Sequence, residues 1–190
     1  MTVRILGIDT GWTATGFAVV EWSPGSRPVI TAVRTLKTEV TPPNRRESKA
    51  SDDERRIREI LCESGKVLAA VNPDVIAIEA LSLGAPNVSS IVAQTKGFTA
   101  ALCSCLTWPA GRRQFAPQDV RRALGVAKMK SATKEQKKQM VAQAVARHAD
   151  FASHADMTEH EYDAAAAALA CLVPEPVDLV LAVQAGRSAP

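Results

Sequence analysis

Four side chains in this 190-residue sequence have the types and placement to assemble metal-dependent chemistry: Asp9, Glu79, His160 and Asp163. Asp9 follows the apolar run Val3-Arg4-Ile5-Leu6-Gly7-Ile8, and Glu79 follows Val75-Ile76-Ala77-Ile78, so each acid stands where a buried strand would otherwise continue. A carboxylate carried into a hydrophobic layer is unfavourable unless a cation or donors compensate it. Two strands that each end in a lone acid point to one shared cation site more readily than to two separate accidents. His160 and Asp163 lie three residues apart at the start of an alanine-rich helix, and that spacing puts them on one side of its first turn. Such a set would hold a hard divalent cation through few protein contacts, as magnesium is usually held, with other positions left to water and phosphate oxygens. Two such ions can clamp the attacking water and the leaving oxygen of a phosphodiester. Each residue also has a plainer alternative: Asp9 could cap the turn at Gly11, Asp163 could answer the helix dipole, and Glu159 or Glu161 could replace His160 as a ligand.

The elements that must position these groups are legible as periodic segments. Val3–Ile8, Gly16–Trp22 and Val29–Thr38 read as three strands of an antiparallel meander, punctuated by Thr10-Gly11 and Ser23-Pro24-Gly25. Residues 40–51, with Pro42-Pro43, carry no apolar period and are expected as a loop. Ile57, Ile60, Leu61, Val67, Leu68 and Val71 recur at helical spacing from Asp52 to Asn72-Pro73, a helix able to cross back to the sheet. Val75–Glu79 is then expected as a parallel strand beside the first, with Glu79 near Asp9. Further helices are expected over Asn87–Leu106, Pro117–Leu124, Thr133–His148 and from Thr158 to about Leu172, with Arg112–Phe115 a fifth strand. Thr133-x-x-Gln136 and Thr158-x-x-Glu161 have the spacing of capping boxes. The sum is an α/β fold, a mixed five-stranded sheet flanked by helices, in one domain spanning residues 1–190.

Composition narrows the class. A hydrophobic content of 46% with only 4% aromatic residues excludes a disordered chain and implies an aliphatic core. No run approaches a membrane span and no leader pattern precedes the first strand, so a cytoplasmic protein is expected. Cys62, Cys103, Cys105 and Cys171 have no paired spacing of a zinc site and are expected as small buried hydrophobes. Formal charge is only +3, yet Gly111 to Lys138 holds nine Lys or Arg against Asp119 and Glu135, leaving the remainder net acidic. A basic stripe on a nearly neutral chain points to a bound polyanion, with a merely solvated helix face as the alternative. With the acidic cluster, metal-dependent hydrolysis of a nucleic-acid phosphodiester follows.

Leu6-Gly7-Ile8-Asp9-Thr10-Gly11 with Thr15-Gly16, then Ile76-Ala77-Ile78-Glu79, then His160-Glu161-x-Asp163-Ala164 together resemble the RuvC family of Holliday junction resolvases, in order along nearly the whole chain. Pro117-x-x-Val120-Arg121 and Ser131-Ala132-x-Lys134, followed by Met140-Val141, are similar to that family's DNA-binding stretch. The resemblance implies a ribonuclease H-like fold and a homodimer making paired symmetric nicks in four-way or branched DNA, with two magnesium ions per active site and manganese able to substitute. Asp9, Glu79, His160 and Asp163 would be catalytic metal ligands, and Arg121, Arg122, Lys128, Lys130 and Lys134 would contact DNA. It implies no membrane partner and leaves any branch-migration helicase unspecified.

Some positions depart from the family pattern. An aromatic residue common shortly after the strand glutamate is replaced by Ala80-Leu81-Ser82-Leu83, the proline common after the first aspartate is Thr10, and Lys128-Met129-Lys130 stands in a usually glycine-rich loop. These differences open a second expectation, a nuclease acting on forks and flaps as well. Gly7-Ile8-Asp9-x-Gly11-x-Thr13 also resembles the first phosphate loop of actin-like and sugar-kinase ATP-binding proteins, but a second Asp-x-Gly loop and a glycine-rich adenosine motif are missing. A catalytically silent branched-DNA-binding protein is the remaining alternative.

Overall fold

In the computed structural model, which describes residues 1–42, 48–81, 87–126, 132–153 and 156–173, the first strand is apolar on both faces and is buried on both. In β1 (Val3–Asp9), Val3 and Ile5 join one core layer, Leu6 and Ile8 the other, and all four are fully buried. β2 (Ala14–Trp22) returns antiparallel beside it, placing Gly16 opposite Asp9. β3 (Val29–Lys37) continues the meander with a bulge at Val19/Val20. A parallel neighbour needs a long crossover, and α1 (Lys49–Val71) supplies it, delivering β4 (Val75–Glu79) parallel to β1 with Ile78 opposite Ile8. After α2 (Val88–Leu106), β5 (Gly111–Phe115) adds parallel to β4. The chain closes with α3 (Pro117–Ala123), α4 (Lys134–His148), β6 (Asp150–Phe151) and α5 (Glu159–Ala170).

The sheet order is β5-β4-β1-β2-β3-β6, so the sheet has six strands rather than the expected five. The added strand is two residues, too short to carry a period; it pairs parallel to β3 through Val29 with Asp150 and Ile30 with Phe151. α1 also starts before Asp52: the Ser48 hydroxyl accepts from the Ser51 N–H, so the helix takes over the end of the expected loop. Lys128, Lys130, Ser82 and Leu83 lie outside the described residues.

Two apolar layers sandwich the sheet. α1 and α2 cover the face of Leu6, Ile8, Ile76 and Ile78; α3, α4 and α5 cover the face of Val3, Ile5, Val75 and Ala77. α5 lies closest, because its face is alanine and the strands beneath carry glycine. A β-carbon on Gly7 would come within 1.9 Å of the Ala164 carbonyl oxygen. The cysteines divide, against expectation: Cys105 and Cys171 are buried, their thiols pushed up to about 11 and about 12 by burial, whereas Cys62 and Cys103 are exposed on α1 and α2. Among the described residues no helix is long and apolar enough to cross a membrane.

Candidate active site

Alternation along the two central strands decides where the acids point. Val3, Ile5 and Gly7 face α5, so Asp9, two residues on, shares that face; Val75 and Ala77 do the same for Glu79. The parallel register puts both acids at the same end of adjoining strands. Gly16, opposite Asp9, lets the start of α5 descend onto this end: a β-carbon there would lie 2.0 Å from the His160 carbonyl oxygen.

The start of α5 is fixed by its cap. The Thr158 hydroxyl accepts from the Glu161 N–H at 3.3 Å, while Glu161 accepts from the Thr158 N–H at 2.7 Å and from the Thr35 hydroxyl at 3.0 Å. Glu161 is thus committed to the cap and to β3, and Glu159 is paired with Lys138 at 2.6 Å. Neither lines the cleft that Asp9, Glu79, His160 and Asp163 share, a space of about 410 Å³ walled by Thr10–Thr13, Ala80, Leu81 and Pro117. His160 Nδ1 lies 2.7 Å from Asp9 Oδ2.

Crowded negative charge is the main electrostatic feature. Burial, then the charges of Asp9 and Asp163, push the Glu79 carboxyl up to about 8, with Arg121 opposing. Burial, then Asp9 and Glu159, push Asp163 up to about 7, against Arg121 and His160. The hydrogen bond to Asp9 raises His160 above its ordinary value, against partial desolvation. Among the described residues no three acid, histidine or cysteine side chains stand close enough to form a ready-made metal cage. The donor chemistry nevertheless fits a hard divalent cation in an open site: three carboxyl groups and an imidazole around one cleft, two of the carboxyls raised by burial and then by neighbours of their own sign.

The expected DNA contacts separate in space. Arg121 lines a small pocket with Glu79 and Asp163, next to the cleft itself. Arg122 is largely exposed and pairs with Asp119 at 3.0 Å. Lys134 is an exposed first residue of α4, at the capping box formed by Thr133 and Gln136. A residue the sequence reading passed over is Arg56, 3% exposed, whose guanidinium lies 4.2 Å from the ring centre of Trp12 in the cleft wall. Its signal was available, since Asp52, Arg56, Ile60 and Ser64 follow one another at four-residue spacing on the buried face of α1.

A parallel β1–β4 pair carrying acids at one end, an antiparallel meander on one side and a helix start laid across the acids define the ribonuclease H-like class of α/β fold. The family model described as crossover junction endodeoxyribonuclease RuvC matches residues 5–170, and the chain belongs to that family. A crossover junction endodeoxyribonuclease RuvC of Janthinobacterium sp. is 33% identical over 103 residues, covering 54% of this chain and 50% of that protein. One of Methylococcus capsulatus is 28% identical over 121 residues, covering 64% of this chain and 66% of that protein. The chain therefore spans between about half and two thirds of the length of these curated relatives. The structure of Thermus thermophilus RuvC in complex with Holliday junction substrate superposes with a TM-score of 0.64 at 20% identity, over 90% of this chain and 92% of that one. The yeast mitochondrial Holliday junction resolvase Ydc2 gives 0.60 at 11% identity, over 97% and 85%. At these identities the likeness is one of fold.

Proposed function

We propose that the chain is a metal-dependent endonuclease of branched DNA that resolves four-way junctions by paired symmetric nicks. The observation that carries this reading is the convergence of Asp9, Glu79, His160 and Asp163 on one cleft from two strand ends and a helix start, with Arg121 beside them. Family membership and a Holliday-junction-bound structure of the same fold support the choice of substrate. Asp9, Glu79 and Asp163, with His160 as a fourth donor, would hold magnesium, two ions per site, with manganese as a substitute. Bound there, the metal supplies positive charge to the phosphate oxygens and acidifies a water molecule.

The remaining work falls to the chain. Arg121 offers a fixed positive charge to the phosphate backbone at the rim of the cleft. Asp9 orients the His160 ring through Nδ1, which leaves Nε2 as the nitrogen able to serve as the fourth donor to a metal ion. The capping box holds His160 and Asp163 in place without using either as a cap. A homodimer would match its two-fold axis to that of the junction, each subunit cutting one strand.

Ala80 and Leu81, the cleft residues that follow Glu79, are not aromatic, which favours including forks and flaps among the substrates. The test is cleavage of a labelled four-way junction, a fork and a linear duplex, in magnesium and in chelator, with sedimentation of the protein free and on DNA. Symmetric magnesium-dependent nicks in the junction are expected from a dimer. Tight junction binding without cutting would favour the silent binding protein, and a monomer on DNA would contradict paired nicking.

A further inference from the structure

We propose that Arg56 is a positioning residue for cleavage: acting through Trp12, it holds residues 10–13 as a fixed wall of the cleft beside Asp9. The inference rests on the nuclease reading and adds a residue remote from the four candidate ligands. Arg56 is 3% exposed, and its Nη1 pairs only loosely with Asp52 Oδ2 at 3.8 Å, while the other oxygen of that carboxylate, Oδ1, is engaged by Arg55 at 2.6 Å and by the Thr41 N–H and hydroxyl. A buried cation so loosely paired needs other groups to solvate it. Here the solvating groups belong to, or hold, the cleft wall. Arg56 Nη2 donates to the Trp12 carbonyl at 2.8 Å and to the Thr38 hydroxyl at 3.3 Å, and the guanidinium stacks 4.2 Å from the indole centre.

The same segment is gripped from other elements. The Thr38 hydroxyl donates to the Trp12 carbonyl, and the Thr38 N–H donates to the Thr13 carbonyl at 3.0 Å. Lys96 of α2, paired with Asp53 of α1, lies 5.5 Å from the Trp12 ring centre. Gly97 packs so closely that a β-carbon would come within 2.7 Å of the Gly11 backbone. Thr10–Thr13 thereby acquire a position set by Thr38, just past β3, and by α1 and α2 together, and they line the cleft alongside Asp9. A wall so fixed aligns the DNA strand against the carboxylates. Only a planar fork can at once reach the Trp12 carbonyl and Thr38 and lie on the ring, so lysine at 56 keeps the charge and loses the clamp.

The experiment compares wild type with Arg56→Lys and Thr38→Val, a milder break in the same clamp that serves if the first variant folds poorly. It measures the single-turnover cleavage rate at saturating four-way junction, the magnesium concentration for half-maximal rate, the junction Kd in chelator, and melting. The expected result is a rate lowered by about 10- to 100-fold and a raised magnesium requirement, with unchanged junction Kd. Wild-type rate and magnesium dependence in both variants, with or without a lower melting temperature, would assign Arg56 to stability alone and overturn the proposal. A wild-type protein that cuts no branched DNA would overturn the nuclease reading and this inference with it, an outcome distinct from cutting by all three proteins.

Discussion

His160 Nδ1 stands 2.7 Å from Asp9 Oδ2, joining the first turn of α5 to the end of β1 across 151 positions of chain. The contact is possible only because Gly16 gives the helix room to come down on the strand opposite Asp9. It ties the imidazole to Asp9 and leaves Nε2 as the ring nitrogen open to the cleft's chemistry.

Removing that room tests the arrangement. Gly16→Ala would place a methyl group against the His160 backbone, where no flexible side chain can yield, so α5 must shift. We expect a loss of about 1–3 kcal/mol in stability, read by urea unfolding, and a larger loss of cleavage than the remaining folded fraction explains. Wild-type cleavage by the variant would show that His160 does not need this placement.

The carboxyl groups give the metal-free protein a signed pH dependence. Glu79 at about 8 and Asp163 at about 7 are raised above ordinary carboxylate values, so between those ordinary values and the raised ones the folded protein binds more protons than the unfolded chain. Stability therefore falls as pH rises from about 5 to 8. His160, also raised, contributes in the same direction, because its contribution is full below its ordinary pKa and is lost as pH climbs through the raised one. Thermal melting in chelator should show a falling midpoint over this range, flatter in Glu79→Gln, and magnesium should raise the midpoint most at the alkaline end. A midpoint that rises with pH would contradict the electrostatics of the cleft.

Arg121 faces the same carboxylates and lowers both, so its removal has two consequences. Arg121→Ala should weaken junction binding and flatten its salt dependence by about one phosphate contact. It should also shift the rise of the cleavage rate to higher pH, since Glu79 and Asp163 then ionise later. An unchanged salt slope would place the DNA face elsewhere.

The cap is a quieter test. Thr158→Ala removes the hydroxyl that accepts from Glu161 and contacts Thr35, and should cost about 1 kcal/mol in unfolding experiments. Because His160 and Asp163 sit in the turn this cap begins, cleavage should fall as well; full activity would separate the cap from the site.

Much of this was readable in the chain. The lone acids Asp9 and Glu79, each closing an apolar run, marked the ends of neighbouring strands, and Thr158-x-x-Glu161 marked the helix start that brings in His160 and Asp163. What stayed hidden depends on tertiary placement. The resemblance marked Arg121 for DNA, but its place beside Glu79 and Asp163 emerges only when α3 packs against α5 and β5, and Lys138 belongs to the same basic stripe although Glu159 holds it. Cys62 and Cys103 lie on exposed faces of α1 and α2, and for Cys62 the helical spacing of Ile57, Ile60, Leu61 and Leu68 already pointed to the opposite side. β6 is defined by its pairing with β3, which two residues cannot announce.

The most direct measurement of the central claim is cleavage of an end-labelled four-way junction in magnesium by wild type and by Asp9→Asn, with junction binding measured alongside. The wild type should nick two opposing strands at symmetric positions, and Asp9→Asn should bind at least as tightly, having lost one charge facing the phosphates, yet leave every strand intact. Cutting by Asp9→Asn at the wild-type rate would contradict the assignment of this cleft as the active site.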